Sequence, residues 1–490
     1  MPAPSEFLTY IDTHADQFIN GRLTEAVKKP SISTDPNHRQ DDIDMGLWIK
    51  DQLESFGLTT TAIDLGPQMN DGQTVMKGDE PLQLPYLILG RAGEDPEKKT
   101  VLVYCHYDVQ PADMKDGWKY DPWTLTETST HQLYGRGSTD DKGPLCGWLN
   151  VLEAHKNCNL DLPVNLRFCF EGMEESDSEG LDNWIIAEAK KPNHGWFAGV
   201  NCVCITDNYW LNTRSPCLTY GVRGVVAFDL NIAGPQADLH SGLFGGMVYE
   251  PMTDLVHIMS KLVAPNGRIL IPNIYDGTSL QPGEKEEYEK LDWTLDDLKE
   301  ITGTDVALYD DKASELMGRM RFPSLSLHGI NGAYSDSGFK TVIPHSVTGK
   351  FSVRIVPPQD PKQIAKLVED YVKQEWALLQ SKGSMSITTS GEGKPWIANN
   401  QDWHFSAAAK ATYEIYQTQP DLTREGGSVP VTVTFSEALG SNVSVLLLPM
   451  GRSDDGAHST NEKIDRANFI GGSKLFGAYL YEVAAATISS

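Results

Sequence analysis

Four short apolar runs, at residues 84–89, 100–104, 164–170 and 200–205, constrain the fold of this chain more than any other feature. Each has the pattern of a strand buried on both faces. Helical stretches at 143–156 and 180–190 separate some of them, and the alternation predicts an α/β domain with a mostly parallel layered sheet. Upstream, 5–28 and 41–58 repeat apolar residues at helical intervals, among them Leu8, Ile11, Phe18, Ile19 and Leu23, and read as surface helices.

From about Leu218 the pattern changes. Residues 224–232 and 349–356 alternate like half-buried strands, and 247–262 and 361–379 carry helical patterns. The expected organisation is a first catalytic part (1–217), an inserted α+β domain (218–394) and a second catalytic part (395–490). Tyr220-Gly-Val-Arg-Gly224 lacks the spacing of a nucleotide loop and reads as the hinge into the insertion. The charged stretch 272–317 reads as a solvated helical excursion.

A chain of 490 residues exceeds what one core ordinarily supports, and 40% apolar content fills two. With 67 acidic against 41 basic residues the formal charge is −26, which argues against nucleic acid or an anionic membrane surface as partner. No apolar run is long enough to span a bilayer, and the amino terminus has no export pattern. All seven cysteines fall between Cys105 and Cys217, an odd number that points away from a disulfide framework and toward a reducing cytoplasm. Cys202 and Cys204 read as small core residues of a strand.

Carboxylates and histidines gather in five segments, four of which sit just after these strands or on the loops beyond them, where open α/β sheets bind ligands. The segments are Cys105-His-Tyr-Asp-Val-Gln110, Gly135-Arg-Gly-Ser-Thr-Asp-Asp-Lys-Gly143, Glu171-Gly-Met-Glu-Glu-Ser176, Ile205-Thr-Asp-Asn208 and Asp454-Asp-Gly-Ala-His-Ser459. Imidazole mixed with carboxylate oxygen suits divalent zinc or manganese, and the adjacent Glu174 and Glu175 can divide base and ligand duties. The strand period of two places His106 and Asp108 on one side if the strand continues that far, so that Asp108 orients the imidazole. Asp140 and Asp141 are harder to tell apart as ligands. His131, His328 and His345 have no metal-like companions in sequence and read as structural.

Taken together, and with Ala237-Asp-Leu-His-Ser-Gly242, Lys340-Thr-Val-Ile-Pro344, Arg424-Glu-Gly-Gly-Ser-Val-Pro430 and Leu447-Leu-Pro-Met-Gly451, these segments resemble the carnosinase and cytosolic nonspecific dipeptidase family of co-catalytic metallopeptidases, and within it the fungal-type Cys-Gly metallodipeptidases. The resemblance runs nearly end to end. It implies two divalent ions per subunit, zinc or manganese, with Asp140 shared between them, His106 and Asp207 on one, and Glu175 and His458 on the other. It also implies a cis peptide after Asp140. A carboxylate so shared offers one oxygen to each of two cations about 3.5–4 Å apart. Glu174 is implied as general base for the water between them; Asp108, which orients His106, is counted with the catalytic residues. The insertion is implied to be a lid and dimerisation domain, with His240 crossing to the partner subunit to stabilise the oxyanion and Thr341 coming from the same lid. Arg354 and Ser428 are implied to grip the substrate carboxylate and Glu425 to meet its free amine. Gly391 stands where some relatives carry histidine, a departure that bears on substrate range.

The expected activity is hydrolysis of small dipeptides by a homodimer, Cys-Gly among the substrates. Two alternatives stand beside it: an aminoacylase-like hydrolase of N-acyl amino acids, and a subunit of a larger peptidase complex.

Overall fold

The computed structural model describes residues 1–70 and 72–488 and resolves into two units. One comprises Met1–Tyr220, Ala398–Thr423 and Val431–Ser490; the other comprises Gly221–Ile397 and Arg424–Pro430. The return of the chain to the second unit over Arg424–Pro430 is absent from the sequence expectation, because a short polar loop carries no pattern that assigns it to either core.

The first unit is built on β1 (Thr59–Ile63), β2 (Leu87–Ala92), β3 (Thr100–His106), β4 (Asn165–Glu171), β5 (Val200–Ile205), β6 (Cys217–Val222) and β7 (Ser444–Leu447). Their order in the sheet is β1-β2-β4-β3-β5-β7-β6. The central pairs β4–β3, β3–β5 and β5–β7 are parallel, whereas β1–β2, β2–β4 and β7–β6 are antiparallel. Every residue of β3 and β4 is buried; β3 accordingly reads as a continuous apolar run, whereas β4 buries Asn165, Arg167 and Glu171 against polar partners. The chain leaves this unit along β6, at Tyr220.

Helices α1 (Arg39–Ser55), α2 (Lys142–Asn157), α3 (Leu181–Ala189), α4 (Trp403–Tyr416) and α5 (Arg466–Ala485) complete the unit. α2 and α5 pack together, with the Trp148 and Phe476 rings stacked at 4.6 Å. The amino-terminal helical run buries Phe7, Ile11, Phe18, Ile19 and Leu23 in the same core, so its apolar face does the packing that its period implies.

The second unit holds an antiparallel sheet in the order Ser324–Asn331, Ser346–Ile355, Gly224–Ala233, Ser384–Gly393. Burial along Gly224–Ala233 alternates strictly, and Val226, Phe228, Leu230 and Ile232 face a core shared with helices Pro251–Met259 and Pro361–Leu379. The 272–317 stretch is more than a solvated excursion. It contains the helices Glu284–Lys290 and Leu295–Thr302 and leads into Lys312–Met320; Tyr288, Leu291 and Trp293 are buried there, and Glu284 receives Arg321 and Arg424. Charge frequency hid these sparse apolar contacts.

Among the described residues no helix is long and apolar enough to cross a membrane.

Candidate metal centre

Parallel strands that end at the same level deliver side chains to one rim. β3 ends at His106, which lies opposite Glu171 at the end of β4; β5 ends at Ile205, two residues before Asp207. The Gly135–Gly143 loop enters the same rim and turns into α2. Gly143 is required there, because a Cβ would stand 2.1 Å from the Ser138 carbonyl oxygen. Gly172 is required for a similar reason: a Cβ would meet the Tyr107 ring at 2.4 Å beneath the Glu174–Glu175 turn.

The chain thereby gathers His106, Asp140, Glu174, Glu175, Asp207 and His458. Ligand atoms of His106, Asp140 and Glu175 lie within 4.8 Å of one another, as do those of His106, Glu174 and Asp207. Asp140 divides its two oxygens: Oδ1 is 3.1 Å from His106 Nε2, and Oδ2 is 3.2 Å from His458 Nε2. Asp207 Oδ2 stands 3.9 Å from the same His106 nitrogen, and Glu175 Oε2 stands 3.0 Å from His458 Nε2. Asp140 thus faces both histidines, one through each oxygen. The Asp140–Asp141 peptide is cis. Asp141 turns away from the cluster, its Oδ2 accepting the His106 backbone N–H at 3.2 Å.

Electrostatics match that layout. Burial and the nearby Asp140 push Asp207 up to about 7, despite His106. Burial also raises Glu174, with Asp207 and Glu175 adding to the effect. For Asp140 burial works in the same upward direction, but His106 and His458 outweigh it and hold the carboxyl far below its usual range. The His458 imidazolium is favoured up to about 11 by Asp140 and Glu175. So many carboxylates against two imidazoles form a site of excess negative charge, which divalent cations with nitrogen and oxygen preferences fit.

Asp108 stands beside the His106 ring and also holds the turn that follows β4. His106 Nδ1 lies 3.1 Å from the Asp108 backbone carbonyl and 3.3 Å from its carboxylate. The same carboxylate also accepts the backbone N–H groups of Glu174 and Glu175, at 3.1 and 3.0 Å. β3 stops at His106, so strand alternation no longer governs where Asp108 points. Asp108 ties the histidine to the turn that bears the two glutamates.

Several contributors escaped the sequence reading. Gln110 donates to Glu175 Oε2 at 2.7 Å. Glu462, fully buried, accepts from Arg136 and from the backbone N–H groups of Gly137, Thr139 and Asp140. Asp455 accepts the Thr139 hydroxyl at 2.8 Å. The cluster of Asp454, Asp455 and Asp465 resembles a further cation site, but Lys463 Nζ already sits 2.9, 2.7 and 2.5 Å from the three carboxylates. An ammonium fills it.

The recognition candidates lie in the second unit. His240 and Thr341 are exposed and adjacent on a short ribbon: His240 pairs with Val342, and Ser241 N donates to the Thr341 carbonyl at 3.2 Å. Arg354 donates to Ser428 Oγ at 2.9 Å, and that hydroxyl donates to the Arg223 carbonyl. Glu425 is engaged by Arg319 at 3.1 and 3.2 Å and by the Gly426 and Gly427 N–H groups. Burial raises the Glu425 pKa, but Arg319 outweighs it and keeps the group ionised. Gly391 lies on the sheet opposite Ala227. His131, His328 and His345 contact Glu127, Ser352 and Asp238, apart from the metal cluster.

The model of Peptidase family M20/M25/M40 matches residues 102–482. Over 475 residues the chain is 50% identical to a Cys-Gly metallodipeptidase of Schizosaccharomyces pombe, covering 97% of both chains. It is 40% identical to the Beta-Ala-His dipeptidase of Homo sapiens, covering 97% of this chain and 92% of that protein. Among solved structures, the di-peptidase Dug1p of Saccharomyces cerevisiae superposes with a TM-score of 0.89 at 45% identity, with 98% of each chain covered.

Proposed function

The chain belongs to peptidase family M20/M25/M40, and from that premise we propose that it is a metal-dependent dipeptidase of broad specificity, with Cys-Gly among its substrates, acting through two zinc or manganese ions per subunit. The observation that carries the reading is the division of Asp140 between His106 and His458. Similarity to enzymes named for Cys-Gly and β-Ala-His dipeptides supports the substrate class.

In this reading His106, Asp207 and Asp140 hold one ion, and Glu175, His458 and Asp140 hold the other. When bound, the ions polarise the scissile carbonyl and make water a nucleophile near neutral pH. Glu174 takes the proton of the attacking water and returns it to the leaving amine. Asp108 fixes where Glu174 stands by holding its backbone N–H. Arg354 and Ser428 grip the substrate carboxylate, the guanidinium suiting that geometry. We place Glu425 at the amine, and His240 with Thr341 on a lid that completes the site of the partner in a homodimer. A cytoplasmic setting is supported by seven free cysteines.

One observation favours a second reading, hydrolysis of N-acyl amino acids: Glu425 already has a cationic partner in Arg319, which weakens its pull on a substrate ammonium. A panel of free dipeptides, N-acetyl dipeptides and N-acyl amino acids decides between them, run on metal-stripped enzyme to which zinc or manganese is returned. The proposal expects free dipeptides to be cleaved fastest and only with metal restored. Faster cleavage of the N-acyl compounds transfers the assignment to the acylase. No turnover of any member by the purified chain points to a subunit of a larger complex.

A further inference from the structure

His458 is the least packed member of the cluster. Its side chain is 58% exposed, whereas that of Asp140 is 6% exposed and that of Glu175 is 2% exposed. Its backbone stands at φ 59°, in the left-handed region that side chains with a Cβ rarely occupy. Burial therefore does little to hold the imidazole, and its local backbone preference opposes the observed position.

Glu462 and Arg136 supply the hold. One Glu462 oxygen accepts the N–H groups of Thr139 and Asp140 at 3.0 and 3.1 Å; the other accepts Gly137 N–H at 2.9 Å and Arg136 at 2.8 Å. The Glu462 carbonyl accepts Gly135 N–H at 3.1 Å. Arg136 also reaches back to the Ser459 carbonyl, beside His458, at 3.2 Å. The loop that carries Asp140 and the loop that carries His458 are thus fastened by one buried carboxylate and one guanidinium. Neither residue points a donor atom at the half-sites.

We propose that Glu462, with Arg136, is a positioning residue that fastens the Asp140 and His458 loops and so sets the cation affinity of the half-site formed by Asp140, Glu175 and His458. The inference rests on the two-ion reading above. His106 ends β3 and Asp207 lies two residues past β5; this half-site shares Asp140 but has no residue on the His458 loop. Both half-sites use Asp140, but only one also uses the loop of His458 and Ser459, so the two differ in how much they depend on Glu462 and Arg136. Residues that orient ligands from outside the ligand set ordinarily alter metal affinity by roughly 10–100-fold.

The test is calorimetric titration of metal-stripped protein with zinc, with cobalt as a spectroscopic probe. The unaltered chain should take two equivalents. Glu462→Gln presents an amide N–H₂ to donors that require acceptors; it should weaken one equivalent about 10–100-fold and the other, which shares only Asp140, clearly less. The cobalt visible band of the more weakened equivalent should shift, while the far-UV circular dichroism stays unchanged. Arg136→Gln should weaken the same equivalent, and it decides the matter if Glu462→Gln does not fold. A single equivalent in the unaltered chain overturns the two-ion reading together with this proposal. Two equivalents there, with both affinities unchanged or equally weakened in the variants, overturn this proposal alone.

Discussion

In the first unit, His106 and Asp140 are buried and their surroundings are fastened by Asp108 and Glu462. In the second, His240 and Thr341 lie exposed on a ribbon of two paired residues per strand, and Glu425 is held by an arginine that is itself 43% exposed. Buried carboxylates and imidazoles at this density are stable only when every position is determined by several neighbours. Exposed groups carry no such requirement, so they are free to meet a ligand or another chain. On the proposed reading, bond breaking falls mainly to buried groups of the first unit and recognition to groups of the second.

The largest test of that contrast is Glu174→Gln. Loss of a general acid–base group costs about 10²–10⁴-fold in turnover. Metal content, measured on the purified variant, should stay at the level of the unaltered chain, whereas Glu175→Gln should lose metal as well. Near-normal turnover in Glu174→Gln would remove the base from the first unit.

His240→Ala comes next. Removal of an oxyanion donor costs about 10²–10³-fold in turnover. If the exposed histidine serves a neighbouring subunit, dissociating and reassociating His240→Ala with Glu174→Gln should restore activity in hybrid dimers that contain one intact site. Verified subunit exchange without recovery places His240 in the service of its own chain.

A third test concerns the burial of the first unit. His404 is fully buried between Ser444 and Tyr479, and burial lowers its pKa to about 3. The unfolded chain has the ordinary value of about 6.5, so it binds the extra proton and stability falls as pH drops below that value. By pH 5 the loss from this residue is about 2 kcal/mol. His404→Gln should show a smaller decline between pH 7.5 and 5 in denaturant titrations. An equal decline would remove His404 as a source of acid sensitivity.

The smallest expected effect is at the amine end. Acetylating a good dipeptide should reduce kcat/KM about tenfold, equivalent to 1.4 kcal/mol, and Glu425→Ala should abolish that preference. Arg319→Gln should strengthen it by removing the competing cation. A preference that survives in Glu425→Ala would move amine recognition elsewhere.

Strand period and helix period were legible where a core face repeats: 200–205 matches β5, and 361–379 matches the helix Pro361–Leu379. The strings around His106, Asp140, Glu175, Asp207 and His458 stood out because carboxylate and imidazole recur just beyond buried strands. Glu462 did not, since an acid in a polar string resembles any solvated one until distant backbone N–H groups surround it. Arg319 was hidden for the same reason; its meaning depends on Glu425, far along the chain. The Asp108 carboxylate does stand 3.3 Å from His106, but its hold on the Glu174–Glu175 turn was not legible, because backbone N–H groups leave no mark in a sequence.

The position of β7 has a consequence for synthesis. It lies between β5 and β6 in the sheet, yet it is the last of the seven to be made. A nascent chain that has formed β5 presents the edge at Cys202–Ile205, later covered by Ser444–Leu447, as unpaired N–H and C=O groups. Such edges recruit strands from other chains. Ribosomes add about 5–20 residues per second, so the interval of exposure is set by translation and by the slow closure of distant pairings. The vulnerable moment of this protein therefore falls before its catalytic sheet is sealed, at a place that the finished molecule hides.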